Sequence, residues 1–239
     1  MAWIGTSGWS YDHWDDVLYH GARPADRLGI YTAEFSTVEL NASFYRWPRD
    51  ASFTSWQRRL PEGFRMTVKA PRALTHARKL YAPEYWVGRM AAAWDKLYDK
   101  RGQLLVQLHP ALAVDDDRLD YFLRQLPWWL PAAVEFRHDS WVCDEVFDLL
   151  ERHRAAYVVM SGARLPCVLR ATARVVYLRL HGPDRDWLYG GSYSDDDLAW
   201  WADRIREWEG QGREVYAYFN NDGGGNAVRN ARTLRWMLG

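Results

Sequence analysis

The polar ends of eight short apolar segments constrain the fold of this 239-residue chain more than any other feature. The clearest example is Val38-Glu39-Leu40-Asn41. Side chains alternate between the two faces of a strand, so Glu39 and Asn41 share one face. Burying a carboxylate there costs free energy unless it meets a partner or a ligand. The pattern therefore predicts a polar site where the strands end.

Strands and helices are predicted to alternate along the chain. Segments rich in β-branched and aromatic residues predict strands at residues 2–7, 37–41, 65–70, 103–108, 132–137, 156–160, 175–180 and 214–220. Helical patterns occupy residues 27–35, 52–60, 84–99, 117–126, 143–153, 195–209 and 226–238. Residues 162–174 contain Pro166, which predicts a degenerate crossover without a full helix. This order predicts an α/β fold, a (β/α)8 TIM-like barrel in one domain spanning residues 1–239. A doubly wound open sheet is the alternative.

The composition argues against several classes of protein. Basic and acidic residues number 31 each, so the formal net charge is zero and predicts no overall attraction to nucleic acid or anionic membranes. Cys143 and Cys167 lack metal-ligand spacing and fit a reducing compartment. Neither a leader segment nor an apolar run of about 18 residues is recognisable. We therefore expect a cytoplasmic protein with no membrane association and no obligate protein partner.

The carboxyl ends of barrel strands and the loops after them normally form the active face. Collecting those ends gives a set with both signs of charge: Ser7, Glu39, Asn41, Lys69, Gln107, His109, Glu135, Arg137, Arg179, His181, Asn220, Asn221 and Asp222. A network of buried ion pairs would explain this set without catalysis. The concentration of charge at one end of the strands favours a functional site.

Glu39 and Glu135, on the second and fifth strands, are the predicted acid/base pair, because two carboxylates in different environments can divide proton donation and acceptance. Lys69 and His181 complete the predicted catalytic set. The cations Lys69, Arg137 and Arg179 outnumber these two carboxylates, which predicts an electropositive barrel mouth and a small anionic or sugar-like ligand. The predicted substrate-binding residues are Asn41, Tyr45, His76, Gln107, Arg137, Trp141, Arg179, Gly182, Asn220, Asn221 and Asp222.

The histidines suggest a metal site as an alternative to carboxylate acid/base chemistry. His76, His109 and His181, with Glu39, Glu135 or Asp222, could bind a divalent metal, although no HxH or HExxH spacing supports this. We predict no cofactor and keep a divalent metal as the less favoured option.

Glycines in the eighth loop suggest an anion site. Asn220-Asn221-Asp222-Gly223-Gly224-Gly225 precedes the last helix, and glycines before a helix expose amide N–H groups. We therefore expect phosphate or sulfate to bind among Gly182, Gly224, Gly225 and Asn226. An ordinary glycine turn is the simpler alternative.

Fifteen tryptophans form a second compositional signal. Trp201, Ile205 and Trp208 have helical spacing and are predicted to pack in the core. Other tryptophans lie in strand-to-helix connections, where one or two are expected to line a pocket: Trp9, Trp14, Trp47, Trp141 and Trp187.

Short motifs along nearly the whole chain resemble the YecE-like family, also called domain of unknown function 72. They are Gly5-Thr6-Ser7-Gly8-Trp9-Ser10-Tyr11 with Trp14, Glu39-Leu40-Asn41, Ser43-Phe44-Tyr45, Lys69-Ala70, Thr75-His76, Glu135-Phe136-Arg137 with Trp141, Leu180-His181-Gly182, and Phe219-Asn220-Asn221-Asp222 with Asn226-Ala227 and Asn230-Ala231. The resemblance implies a TIM-like barrel and no settled activity. The family usually has Pro-Pro after Gln107, where this chain has Leu108-His109-Pro110, so the resemblance does not support His109 as a ligand.

Three functions remain open at this level. The favoured one is a hydrolase or isomerase that acts by carboxylate acid/base chemistry at the mouth of the barrel. The second is a nucleic-acid-binding or metal-dependent phosphodiester-cleaving protein, since the family's barrel is similar to those of nucleases that act at abasic DNA sites. The third is a noncatalytic binding protein in which the polar residues are structural.

Overall fold

Strands and helices alternate throughout a computed structural model that describes residues 1–239. The eight parallel strands are β1 (Ala2–Thr6), β2 (Thr37–Leu40), β3 (Arg65–Lys69), β4 (Arg101–Gln107), β5 (Ala132–Glu135), β6 (Ala156–Ser161), β7 (Val175–Leu180) and β8 (Glu214–Phe219). The helices are α1 (Arg27–Glu34), α2 (Ala42–Tyr45), α3 (Asp50–Arg59), α4 (Glu84–Leu97), α5 (Asp116–Gln125), α6 (Asp144–Arg152), α7 (Asp195–Gly210) and α8 (Asn226–Leu238). The predicted α/β class and the (β/α)8, TIM-barrel-like connectivity are confirmed.

The predicted elements agree with the structure to within two residues at nearly every boundary. No helix joins β6 to β7, which confirms the degenerate crossover. Short α2 was not predicted, because a four-residue helix carries too little periodicity to recognise. None of the helices is long and apolar enough to span a membrane.

The chain divides into two compact units. The first comprises Met1–Glu39, Val159–Leu169 and Arg174–Gly239, and the second comprises Leu40–Val158 and Arg170–Ala173. In the first unit, β8 pairs with β1 on one side and with β7 on the other. In the second unit, β4 pairs with β3 and β5, and β5 continues to β6.

Close approach of the backbone in the first unit requires glycine at one point of β1. A Cβ atom added to Gly5 would lie 2.3 Å from the carbonyl oxygen of Thr37, well inside contact distance. Ser7, just after β1, forms a bridge with Glu39 of β2. The close strands therefore bring the Ser7 hydroxyl to the Glu39 carboxylate.

Helix α7 begins as the sequence predicts. The Ser194 hydroxyl accepts the Asp197 N–H at 3.1 Å, and the Asp197 side chain accepts the Ser194 N–H at 3.0 Å, completing a capping box. Three aspartates in the first turn also complement the helix dipole. Trp201, Ile205 and Trp208 of this helix are buried, which confirms their predicted packing role.

Replacing Ser194 with Ala should lower the free energy of unfolding by about 1 kcal/mol, because the Asp197 amide loses its acceptor. Urea denaturation measures this loss. Ser194→Asp retains an acceptor and should recover most of it; equal loss in both variants would contradict the capping explanation.

Candidate functional site

The first unit buries an ionic network that we call the Glu39 cluster: Ser7, Glu39, Tyr177 and Arg179. All four side chains are completely or almost completely buried. Arg179 donates from Nε to Glu39 Oε2 at 3.0 Å and from Nη2 to Oε1 at 2.7 Å. The Tyr177 hydroxyl donates to Oε2 at 2.7 Å, and the Ser7 hydroxyl donates to Oε1. Glu39 thus accepts four hydrogen bonds.

This saturation bears on the predicted chemistry of Glu39. A carboxylate offers about four lone-pair sites, and each site here already faces a donor. Burial, and then the charge of Glu39, raises the pKa of Tyr177 well above its ordinary value, so Tyr177 remains a neutral donor. The geometry does not support proton exchange by Glu39. It supports a fixed anion that orients Arg179.

His181, at the end of β7, is fully buried. Its Nδ1 lies 3.2 Å from Nδ2 of Asn220, and its ring meets the edge of Tyr189 with centroids 5.3 Å apart. The sequence therefore correctly places His181 and Asn220 together at adjacent strand ends.

Three of the four amides in the predicted anion cradle of the glycine loop have partners within the protein. The Gly182 amide donates to the Tyr193 hydroxyl at 3.0 Å. The Gly225 amide donates to Asp222, and the Asn226 amide donates to Gly223. These N–H groups hold the loop's own turns together, so they are not available to an anion.

Asn221 and Asn226 instead fasten the loop that follows β7. Both side-chain amides donate to the Gly191 carbonyl, at 2.9 and 3.3 Å. Asn221 also donates to Oδ1 of Asn230 at 2.9 Å, and Asn230 accepts the Tyr193 amide. The role of Asn221 is therefore structural, and Tyr193 was missed because it lies far from any predicted strand end.

The second unit carries a different group, which we call the His76 cluster: Phe44, Lys69, His76, His109, Glu135 and Arg137. Strands β3, β4 and β5 lie side by side and deliver Lys69, His109 and Glu135 at or just after their carboxyl ends. The His76 ring meets the edges of Phe44 and His109, with centroid separations of 4.9 and 5.1 Å. Lys69 Nζ lies 4.3 Å from the Phe44 ring centroid.

The pKa of His76 is unusually low for a histidine. Partial burial lowers its pKa from 6.5 to about 4, with further lowering by His109, Lys69, Arg72 and Arg137. His76 is therefore a neutral base at pH 7 in a cationic environment. The sequence predicted His76 as a binding residue, but it could not show that these cations surround it.

Glu135 is completely buried and accepts a hydrogen bond from Arg137 Nε. The Arg137 side chain is only 6% exposed. Each of the two predicted catalytic glutamates therefore has its own arginine within its own unit: Glu39 pairs with Arg179, and Glu135 with Arg137.

The remaining predicted residues differ in exposure. Tyr45 is largely exposed, whereas Asn41 and Gln107 are half-buried, and Gln107 is the register partner of Glu135. The Asp222 carbonyl accepts the indole N–H of Trp14 at 3.0 Å and lies 2.9 Å from His13 Nε2. His13 was missed because it lies in a three-residue 3-10 helix, away from any predicted strand end.

Trp141 and Trp14 serve packing. Trp141 is 1% exposed, stacks on Phe136 at 4.8 Å between centroids, and donates its indole N–H to the Leu112 carbonyl at 2.6 Å. Both its ring and its N–H are used inside the protein, so the structure gives Trp141 a packing role, and its predicted contact with substrate stays a prediction.

Metal-ligand chemistry was the alternative for the histidines. His76 and His109 come together in the second unit, whereas His181 belongs to the first. No group of three or more His, Cys, Asp and Glu side chains is arranged to hold a metal ion.

A family model described as "Protein of unknown function DUF72" matches residues 3–239. The chain belongs to the DUF72 family. The UPF0759 protein YunF of Bacillus subtilis (strain 168) is 26% identical over 281 residues, covering 100% of this chain and 95% of YunF. The family predicted from the short motifs is thereby confirmed.

Solved structures of DUF72 proteins share the fold. A family member from Thermotoga maritima MSB8 superimposes with a TM-score of 0.91 and 28% identity, covering 100% of this chain and 99% of that one. A member from Enterococcus faecalis V583 superimposes with a TM-score of 0.88 and 21% identity, covering 100% of this chain and 95% of that one. SacUVDE superimposes with a TM-score of 0.57 and 9% identity, covering 88% of this chain and 82% of that one. This likeness concerns the fold alone.

Proposed function

We propose that this DUF72 protein is a cytoplasmic enzyme, of the hydrolase or isomerase type, that acts by acid/base chemistry on a small anionic substrate at the His76 cluster. The observation that carries the proposal is the neutral His76 beside Lys69 and Arg137. A base must be unprotonated to accept a proton, and a cationic surround keeps it so while attracting an anion.

The hydrogen bonds around His76 indicate which nitrogen would act as the base. The Thr75 hydroxyl donates to the Pro71 carbonyl at 3.3 Å, so it accepts the proton of His76 Nδ1 at 3.0 Å. This tautomer leaves the lone pair on Nε2. His76 Nε2 is therefore the atom we assign to proton transfer.

Lys69 and Arg137 supply the charge that would hold the substrate. Charge-assisted hydrogen bonds from ammonium and guanidinium groups to an anion are about twice as strong as neutral ones. Glu135 fixes the guanidinium of Arg137. In this assignment Glu135 is a positioning residue, and the proton-transfer role predicted for the two glutamates passes to His76.

The free thiols of Cys143 and Cys167 support a reducing, cytoplasmic location.

A titration of the histidine rings by NMR tests the proposal. The His76 ring should protonate near pH 4, against an ordinary value of 6.5. Because the folded pKa is the lower one, His76 leaves stability unchanged above pH 6.5 and reduces it as the pH falls towards 4. Inorganic phosphate should raise the His76 pKa, because an adjacent anion favours the imidazolium.

Two controls make this titration specific. Lys69→Met should weaken the phosphate-induced shift by removing one cation. His153, which pairs with Asp120 at 2.6 Å, should not respond to phosphate. Protonation of His76 near pH 6.5 without a phosphate response would refute the proposal. A salt-dependent response to single-stranded DNA, without one to phosphate, would favour the nucleic-acid alternative.

A further inference from the structure

We propose that the His76 cluster selects a hydroxylated anion, of the hydroxy-acid or sugar-phosphate class, whose hydroxyl group lies between His76 and His109. This inference rests on the proposed function and specifies the substrate of the same site. It gives His109 a role that the family motif does not supply.

The two imidazoles have complementary hydrogen-bonding atoms. The Ala111 amide donates to His109 Nδ1 at 2.9 Å, so His109 carries its proton on Nε2. In the tautomer that we assign to His76, the proton is on Nδ1, next to Thr75, and the lone pair of Nε2 is exposed. Neither Nε2 atom has a hydrogen-bond partner in the protein, although the rings are in contact. One ring therefore offers a donor and the other an acceptor.

A hydroxyl group matches this pair, because it contributes one donor and can accept two hydrogen bonds. It can donate to His76 Nε2 while it accepts from His109 Nε2–H. The anionic part of the same ligand is then held by Lys69 and Arg137. A ligand without the hydroxyl would leave both ring nitrogens unpaired on binding, which costs affinity.

Asn41 provides a separate indication of a ligand with O–H donors. Its Oδ1 atom is buried and lacks a hydrogen-bond donor in the structure. Asn41 immediately precedes α2, the helix that carries Phe44. An unsatisfied buried acceptor at the start of this helix is explained if a donor arrives with the ligand.

Binding of glycerol 3-phosphate and n-propyl phosphate, measured by calorimetry, tests the inference. The two probes share the phosphate and differ in their hydroxyl groups. Glycerol 3-phosphate should bind about tenfold more tightly. In His109→Phe, which keeps a ring against His76, this ratio should fall towards one.

His138 supplies a matched control. Its Nδ1 also accepts the amide two residues ahead, that of Ser140 at 3.3 Å, but His138 is exposed. His138→Phe should leave the tenfold ratio intact. If His109→Phe fails to fold, His109→Asn is the substitute: its side-chain oxygen can accept the Ala111 amide, while its amide group falls short of the ligand.

The outcomes separate the two proposals. Equal binding of the two phosphates by the unchanged protein, or an unchanged ratio in the folded His109 variants, overturns the hydroxyl inference and leaves the anion site standing. Failure of both phosphates to bind, with no change in the His76 titration, overturns the proposed function itself.

Discussion

Replacing Glu39 with Gln should lower the free energy of unfolding by about 3–5 kcal/mol, the usual cost of removing one partner from a buried ion pair. Glu39 and Arg179 are both completely buried, and Arg179 engages both carboxylate oxygens. The substitution leaves a guanidinium without its counter-charge in a region of low dielectric. Urea denaturation followed by fluorescence measures the loss.

A double variant separates this charge effect from simple disruption of packing. Glu39→Gln with Arg179→Met removes both charges, and it should recover much of the loss because no uncompensated charge stays buried. If the double variant is less stable than Glu39→Gln alone, then the hydrogen bonds and packing of Arg179 outweigh the cost of its uncompensated charge.

A surface ion pair gives the matched reference for this experiment. Glu151 and Arg170 are 43% and 42% exposed, with 2.9 Å between Glu151 Oε1 and Arg170 Nη2. Glu151→Gln should cost no more than about 1 kcal/mol, because water screens the pair. If Glu39→Gln also lowered the unfolding free energy by no more than about 1 kcal/mol, water would have access to the Glu39 cluster.

The fold was largely predictable because its signals are local. Alternating apolar residues, glycine or proline boundaries and the Ser194 cap each depend on neighbours in the sequence. Six of the eight predicted strands extend one or two residues too far, since their last residues lie in the following loop. Asn41, Ala70 and Asn220 are examples of this overshoot.

The candidate site was predictable in membership but not in pairing. Strand alternation placed Glu39, Glu135, Arg137 and Arg179 among its members, yet it could not tell which arginine serves which glutamate. Tyr177, two residues before Arg179, was missed because a tyrosine inside an apolar strand resembles core packing. Its hydroxyl becomes visible as a ligand of Glu39 only in three dimensions.

The role that we propose for His109 could not come from the family motif. The motif does not support His109 as a ligand. A motif records the residues that relatives share and omits those that one chain adds. The partners that define its chemistry, the Ala111 amide and the His76 ring, depend on local geometry after β3 and β4. This is why the hydroxyl selection we propose could not be read from the sequence.

Replacing Trp141 with Ala should also cost about 3–5 kcal/mol of unfolding free energy, the range for truncating a buried tryptophan. The variant loses the stack on Phe136, the hydrogen bond to the Leu112 carbonyl and the filled volume of a 1% exposed side chain. Trp141→Phe should cost less, because it keeps an aromatic ring against Phe136. Thermal and urea denaturation measure both variants.

Trp128, which is 94% exposed in the same unit, provides the control for this substitution. Trp128→Ala should change the unfolding free energy by no more than about 0.5 kcal/mol. The difference between the losses in Trp141→Ala and Trp128→Ala shows whether Trp141 lines a pocket or packs in the core. A pocket-lining residue can be truncated with little loss of stability, whereas a core residue cannot. A small loss at Trp141, together with weaker phosphate binding, would support its predicted role as a substrate contact. A large loss would show that Trp141 is a core residue of the connection between β5 and α6, which also carries Arg137.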